Sequence, residues 1–419
     1  MVSSSIILKN QIILSINQFL NLYHEIDRTD LENILTLDFD LDYSVLERYV
    51  NSQRICPIIE LARPEDAEEI SQIFKEIYKG TYPYKKMEST DSIAEMIKDP
   101  NYYWFLFKLE TGEIVGTFGS HLEREKKRGF LYGFVIKKGY HKVIDIFKAF
   151  IGCAIYLWKR YQKQILIWYG EMRTNETSSQ FFTSIVGMKP VAFFANKDIF
   201  FNKKESDILQ VIYDQDVLKS LRKKKQPQII RQVLNSYTYI NKRFQLGLPI
   251  IKNPKLNINQ EIVKDLYEKI EIITQEEEHG NKWITILNKT SKSFFKFLHN
   301  PYSKNFEKSE YEVKSLEELN CFLIKINNLI EDMDINYFEC FVSAYNVEHQ
   351  KIFHNFGFEP RGYVPSWKYD AKNKLFEDQV VFNYFKDNLD KNMKVIPEVK
   401  ELLDILNIFE KSSRDLINF

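Results

Sequence analysis

The sequence predicts a mixed α/β fold, with helices set around a sheet that is antiparallel in its middle and parallel at one crossover. Three observations predict it. Residues 102–109, 114–121 and 129–136 are apolar runs separated by Thr111-Gly112-Glu113 and by a charged cluster at 123–128, the pattern of a hairpin meander. Next, Val143, Ile144, Phe147, Ile151, Ala154 and Trp158 recur at helical spacing before another strand-like run at 164–169. A strand, a helix and a strand in that order supply the crossover that parallel pairing requires. Finally, one strand–helix–strand spacing occurs twice along the chain.

The elements follow in order. Residues 5–25 carry Ile13, Ile16, Leu20 and Tyr23 at intervals of three or four, and with a second helix at 44–51 they form an N-terminal helical extension. Ile58, Ile59, Leu61 and Ala62 open the first strand of the sheet. Arg63-Pro64-Glu65-Asp66 turns the chain, and its acids precede a helix marked by Ala67, Ile70, Ile73, Phe74 and Ile77, where negative charge favours a helix start. An aromatic loop at 78–84 and a short helix at 92–98 lead into the meander. After the crossover come a helix at 178–185, stopped by Gly187, and one or two strands at 191–201. The order β-α-α-β-β-β-α-β-α-β differs from a nucleotide-binding doubly wound sheet, which alternates regularly.

Residues 216–246 read as a basic helical linker, with Arg222-Lys223-Lys224-Lys225 ahead of Pro227 as a helix start. Strands are expected at 270–274, 283–288 and 293–298. A helix opens at Ser315, with Glu318 placed as in a capping box. A strand at 337–342, a helix at 347–355, a strand pair at 363–369 and 378–385, and a helix at 398–410 complete the chain. Gln180, Gly187 and Pro190 recur as Gln350, Gly357 and Pro360 at identical offsets. A glycine that ends a short helix and reverses the chain explains the second member of each set. The shared strand–helix–strand context points to duplication. The domains expected are a helical extension at 1–54, a first domain at 55–215, a linker at 216–246, a degenerate or partial second copy at 247–390, and a terminal helix at 391–419.

Composition narrows the function. With 58 Lys and Arg against 58 Asp and Glu the formal net charge is zero, which argues against a polyanion-coating protein and against nucleic acid as a partner. Cys56, Cys153, Cys321 and Cys340 form no C-x-x-C pair and no zinc-ligand spacing, so no metal is expected. Scattered thiols suit a reducing compartment. No uninterrupted apolar run reaches the ~20 residues of a membrane span. A cytoplasmic protein without a membrane partner is expected. Its oligomeric state is not legible.

Leu61-Ala62-Arg63-Pro64-Glu65-Asp66-Ala67, Gly112-Glu113-Ile114-Val115-Gly116, and Asn346 with His349-Gln350-Lys351-Ile352-Phe353 and Gly357-Phe358 resemble segments of the Gcn5-related N-acetyltransferase superfamily. The resemblance covers about 58–200 and, more weakly, about 315–385. It implies an acyl-CoA N-acyltransferase fold, acetyl-CoA as co-substrate, and a small-molecule or peptide amine as acceptor. It also implies that the fourth strand parts from the fifth, that pantetheine pairs with the exposed backbone of the fourth, and that pyrophosphate meets amides at the next helix start. The residues implied to hold the coenzyme are Phe134, Val135, Ile136, Lys138, Gly139, Tyr140, His141, Lys142 and Asn175. Val143, Ile144 and Asp145 stand where the superfamily has small residues, and Lys137, Lys138 and Lys142 supply positive charge.

Acyl transfer to an amine needs a base for the nucleophile and a proton for the leaving thiolate. The candidates on the strand ends are Glu171, His121, Glu123 and Tyr132. The superfamily often places a Tyr near the helix before the Gly-Phe. Phe181-Phe182-Thr183 and Phe353-His354 contain none. Tyr78, Tyr82 and Tyr84 fall where the superfamily walls its acceptor, and Arg173 could hold an acidic substrate group or a phosphate, or pair with Glu171 or Glu176. The competing expectation is a non-catalytic binding or assembly module on the same fold.

Overall fold

A computed structural model describes residues 6–7, 55 and 57–408. The helix expected at 44–51 lies outside them, as does most of 5–25, where Ile6–Ile7 is a short strand (β1) instead of a helix. The chain divides into two units. The first runs to Met172 and adds Thr177–Lys189 and Gln210–Ser220; the second takes Arg173–Glu176, Pro190–Leu209 and Leu221 onward. The expected first domain, 55–215, is therefore shared between them.

The first unit's sheet starts with β1 and β2 (Ile58–Leu61). Helices α1 (Ala67–Tyr78) and α2 (Thr90–Lys98) intervene before β3 (Tyr102–Lys108), β4 (Ile114–Glu123) and β5 (Arg128–Ile136). These strands pair antiparallel in sequence order. Helix α3 (Ile146–Tyr161) crosses over to β6 (Ile167–Arg173), which pairs parallel to β5. Helix α4 (Ser178–Ile185) then follows where expected, and Gly187 adopts φ +91° after it. One sheet face packs on α3: Phe105, Phe107, Val115, Phe118, Leu131 and Trp168 join Ala149, Phe150, Cys153, Ala154, Leu157 and Trp158 in one buried core. Burial of this kind supplies about 25 cal/mol per Å² of apolar surface.

Strand β7 (Lys189–Phe200) is followed by a strand missing from the sequence reading, β8 (Lys203–Tyr213). Its start, Lys203-Lys204-Glu205, is polar, and the buried polar residues Ser206, Asp207 and Gln210 break the apolar alternation by which strands are recognised. The linker 216–246 is helical only in part. Helix α5 (Gln215–Lys219) precedes an extended segment, then β9 (Gln228–Ile229) and α6 (Leu234–Phe244). The segment is held straight by its own pairing: Lys223 N–H donates to Phe376 O (2.8 Å) and Phe376 N–H to Leu221 O (2.7 Å). Arg222 thereby reaches Asp378 with Nη2 at 2.6 Å from Oδ2. Pro227 thus precedes a strand and not a helix.

In the second unit β10 (Ile250–Ile251) pairs with β9, and α7 (Gln260–Tyr267) leads to β11 (Ile270–Glu276), β12 (Lys282–Asn288), β13 (Ser293–Asn300) and β14 (Asn305–Glu312). These four form an antiparallel meander. Helix α8 (Leu316–Asp332) crosses to β15 (Tyr337–Ser343), parallel to β14. Then come α9 (Val347–Asn355), β16 (Glu359–Asp370), β17 (Leu375–Phe385) and α10 (Pro397–Ile405). The expected helix end beyond 408 lies outside the described residues. Strand β14 was hidden by its charges, Glu307, Lys308, Glu310 and Glu312. The connection order of meander, crossover helix, parallel strand and short helix occurs in both units. The difference is at the front: β11 passes to β12 through a single short turn at Glu278–Gly280, where the first unit carries α1 and α2.

Candidate functional site

Strand β5 meets β6 over a short distance only. Pairing runs from Arg128–Ile167 to Leu131–Gly170 and stops, while β5 continues to Ile136 and β6 to Arg173. The expected parting of these strands is present. On its other side β5 stays paired to β4, with a shift between Thr117 and Gly119. There Gly133, at φ +63°, and Phe134 together oppose one residue of β4. This is a β-bulge, and the left-handed conformation it requires is the one glycine adopts at least cost. Main-chain groups of β5 beyond Leu131 therefore face the opening toward β6 without a ladder there.

The sheet face opposite α3 gathers all four expected catalytic residues. Side chains alternate along a strand, so Tyr102 and Trp104 on β3, His121 and Glu123 on β4, Phe130 and Tyr132 on β5, and Tyr169 and Glu171 on β6 share this face. Ring contacts tie them together: Tyr102 stacks on His121 at 4.3 Å, Phe130 on Tyr169 at 4.9 Å and on Tyr132 at 5.5 Å, and Trp104 meets Tyr132 edge-on at 5.5 Å. Gly119 makes room for Tyr132, since a Cβ there would sit 2.8 Å from its ring. The expected acceptor wall joins through Phe74, whose ring lies 5.1 Å from Tyr82 and 6.3 Å from Trp104; Tyr78 and Tyr84 flank Tyr82 at 4.5 and 6.0 Å.

The electrostatics separate the candidates. Glu123 accepts from Tyr169 Oη (3.0 Å), and its Oε2 lies 3.0 Å from Arg128 Nη2. Burial works to raise its pKa, but Arg128, Lys126 and the Tyr169 hydrogen bond together hold it below the ordinary carboxylate value. Glu123 is thus a fixed anion and a poor base. Burial pushes the Tyr132 and Tyr169 phenols well up, so both are hydrogen-bond donors at neutral pH. Glu171, half-buried, is the first residue of β6 past the last β5 pair. Among the carboxylates on this face, Glu171 is the one set at the opening.

The coenzyme loop differs from the expectation. Val135 and Ile136 are buried, and Phe134 packs among Phe107, Phe118, Phe150 and Phe182. Lys138, Gly139, His141 and Lys142 are exposed, and Tyr140 Oη donates to Glu113 (2.9 Å). The helix begins at Ile146, later than the expected 143, because 137–145 turns repeatedly. The amides leading into it are already used: Val143 and Ile144 donate to Tyr140 O, Asp145 to Ile55 O (2.7 Å) and Ile146 to Ile144 O. Asp145, 2% exposed, sits at the helix start. A helix N-terminus attracts anions, and here the chain's own carboxylate takes that place. Lys137 is paired with Glu69 at 3.0 Å.

Two expected residues fall in the second unit. Arg173 is held by Glu205, with Nε and Nη2 donating at 2.8 and 2.9 Å. Asn175 is exposed. Sequence reasoning missed Trp104, Tyr102, Phe130 and Tyr169, although the two-residue alternation of β3, β5 and β6 could have placed them beside Tyr132 and Glu171. No group of three or more His, Cys, Asp or Glu among the described residues could hold a metal ion, and no helix among them is long and apolar enough to cross a membrane.

No family model and no curated relative matches this sequence. Among solved structures, the chain is similar to a ribosomal-protein-S5-alanine acetyltransferase from Vibrio fischeri, with 13% identity, a TM-score of 0.32, and cover of 38% of this chain and 93% of that one. It is similar to an N-acetyltransferase from Staphylococcus aureus, with 12% identity, a TM-score of 0.30, and cover of 37% and 96%. It is also similar to RimL, a ribosomal L7/L12 alpha-N-protein acetyltransferase, with 8% identity, a TM-score of 0.30, and cover of 38% and 94%.

Proposed function

We propose that the chain transfers an acyl group, in the first instance acetyl from acetyl-CoA, to a primary amine on the first unit's sheet face opposite α3. The observation that carries this reading is the parting of β5 from β6 beside Glu171. The bulged edge of β5 offers main-chain groups to an extended pantetheine arm, as an open strand edge does to a peptide. Lys138 and Lys142 supply positive charge near the far end of the coenzyme. Glu171 takes one proton from the substrate ammonium. The free amine nitrogen then attacks the thioester carbonyl carbon; the C–N bond forms and the C–S bond breaks. The second amine proton leaves with the sulfur as the thiol. Because a thioester is already activated, alignment supplies much of the rate. Glu123, clamped by Arg128, and His121, stacked on Tyr102, shape the pocket. Cytoplasmic location is part of the proposal, as is the reading of 247–390 as a second, non-catalytic copy.

One observation favours a second reading, a non-catalytic binding or assembly module. Asp145 and the committed amides occupy the place where a diphosphate would be held. One experiment separates the readings. Full-length protein is titrated with acetyl-CoA to millimolar concentration by calorimetry, and thiol release is followed with a panel of primary amines. Turnover that Glu171→Gln abolishes supports the transferase; absence of coenzyme binding removes it and leaves the module. Nucleic acid has little to engage in the basic run, since Arg222 is spent on Asp378 and Lys223 on Glu377.

A further inference from the structure

One strand edge of the second unit is open. Among the described residues β11 pairs with β12 alone, in a continuous antiparallel register from Ile270–Asn288 to Glu276–Lys282. Glu277 N–H donates to Asn281 O (2.8 Å) in the same register. Hydrogen-bonded and open pairs alternate along such a ladder. The odd-numbered residues of β11 therefore bond to β12, and Ile270, Ile272, Thr274 and Glu276 turn their N–H and C=O groups outward. The strand is seven residues long, with neither a proline nor a bulge. Of its side chains only Ile270 is buried; Ile272 and Ile273 are 42% and 45% exposed. A long, apolar edge of this kind is a template for another strand. The first strand of the other meander, β2, has its outer edge taken by the two isoleucines of β1.

The charges say which strand fits. Glu271 and Glu276 are already paired within the unit, with Lys289 at 2.7 Å and Lys282 at 2.9 Å, so the edge has no call for a basic partner. An antiparallel copy of the same strand, related by a twofold axis through Ile273, sets Ile272 against Thr274 and Ile270 against Glu276 as hydrogen-bonded pairs. Every outward-facing backbone group is then used. Ile273 meets its own copy in an open pair, where side chains approach closest. Glu271 faces Gln275, and at both ends Lys269 faces Glu277. The smallest slip that keeps the hydrogen-bonding groups opposed sets Glu268 against Glu276 in one direction and Glu271 against Glu277 in the other. Like charges directly opposite are destabilising, so both slips are disfavoured. We propose that β11 pairs with β11 of a second copy of this chain, joining two sheets edge to edge in a symmetric dimer. Neither the pairing nor its test depends on acyl transfer.

Sedimentation velocity of the full-length chain, from about 1 to about 100 μM, should show a monomer giving way to a species of twice the mass. Ile273→Lys places two ammonium groups on the axis and removes the apolar contact there, and it should weaken the dimer about tenfold. Lys269→Glu and Glu277→Lys each bring like charges together at both ends, and each alone should weaken the dimer several-fold. Mixing these two variants sets opposite charges at both ends again, so the mixture should associate as the unsubstituted chain does. Lys269 and Glu277 are both exposed, and the mixture serves as a control for folding. A chain that stays monomeric throughout would overturn the proposal, meaning that the edge is covered by the chain itself or takes a strand from another protein. A dimer that Ile273→Lys leaves intact would overturn it too, as would a mixture that associates no better than either variant alone.

Discussion

The two units build the same opening and fill it differently. In the first, pairing of the parallel strands ends at Leu131–Gly170, two residues before the bulge glycine Gly133. In the second it ends at Phe306–Phe338, two residues before Lys308, which takes φ +54° in a bulge of its own. The first residue past the last pair on the parallel neighbour is a glutamate in each, Glu171 and Glu339. Their surroundings diverge. Glu171 is half-buried at an aromatic face. Glu339, 4% exposed, lies 3.2 Å from Lys197 Nζ and accepts from Tyr337 Oη at 2.9 Å. Glu307 stands 3.9 Å from the same ammonium, and Ser309 Oγ donates across the parted strands to Glu339 O at 2.8 Å. The second opening is closed by its own side chains. Backbone geometry is therefore insufficient to mark a site, and the half-buried aromatic face is the better indicator.

The largest effect expected concerns the two glutamates. Glu171→Gln should lower kcat by about 10²–10⁴-fold, the usual worth of a positioned base. Glu339→Gln should leave turnover intact and reduce stability instead. Steady-state kinetics and chemical denaturation on both variants decide it; comparable activity losses would erase the distinction between the units. Next comes the ammonium. Lys197→Ala strands two buried carboxylates, and breaking a buried pair in this way costs about 3–5 kcal/mol. Adding Glu339→Gln to Lys197→Ala should recover part of that loss, because the two changes act on one network. Additive losses in urea unfolding would show that the cluster is not a unit.

A third effect is confined to the second unit and depends on pH. His349 shares a hydrogen bond with Tyr311 Oη at 3.1 Å, and burial lowers its pKa to about 4. The unfolded chain carries this histidine near 6.5, so between the two values the unfolded state binds more protons than the folded one. Stability from this residue is then full above pH 6.5 and falls as pH drops toward 4, by about 3 kcal/mol in all. Unfolding midpoints measured from pH 7 to 5 should decline, and His349→Gln should flatten the decline. An unchanged slope would place the titration elsewhere.

How much of this was legible in the sequence depended on what each strand buries. Apolar runs declared themselves: β3 and β5 fall where theirs placed them, and α9 spans the expected 347–355, capped by Asn346, which accepts from His349 N–H at 3.1 Å. Strands β8 and β14 did not, because Asp207, Gln210 and Glu307 are polar and yet buried. The side chains that Gln210 and Glu307 meet, Thr183 and Lys197, are distant in sequence, so nothing local announces them. The recurring Gln, Gly and Pro spacing was legible because each of its residues meets a local demand. Gln350 is buried with Nε2 donating to Ser343 O (3.0 Å) and Gln228 O (2.9 Å), and Gly357 takes φ +84°, demands that fix residue types. Glu171 and Tyr132 were identifiable as strand-end candidates. Trp104 was not, since an indole in an apolar run reads as core until its unpartnered N–H is seen.

The smallest effect tests the helix starts, where both units again place an acid. In the second unit Glu318 closes the start of α8, accepting from Lys314 N–H (2.8 Å), Ser293 Oγ (2.6 Å) and Asn288 Nδ2 (3.0 Å), while Ser315 Oγ accepts from Glu318 N–H (3.2 Å). That acid is woven into a cap. Asp145 in the first unit immediately precedes α3 and would oppose an incoming diphosphate. Asp145→Asn keeps the size and removes the charge. Interactions of a charge with a helix end are worth about 0.3–1 kcal/mol, so the variant should bind acetyl-CoA up to about fivefold tighter, with the gain shrinking as salt is raised. Glu318→Gln should leave coenzyme affinity alone. Weaker binding in Asp145→Asn would mean that the carboxylate organises the loop for the coenzyme instead of competing with it, and the contrast between the two helix starts would reverse.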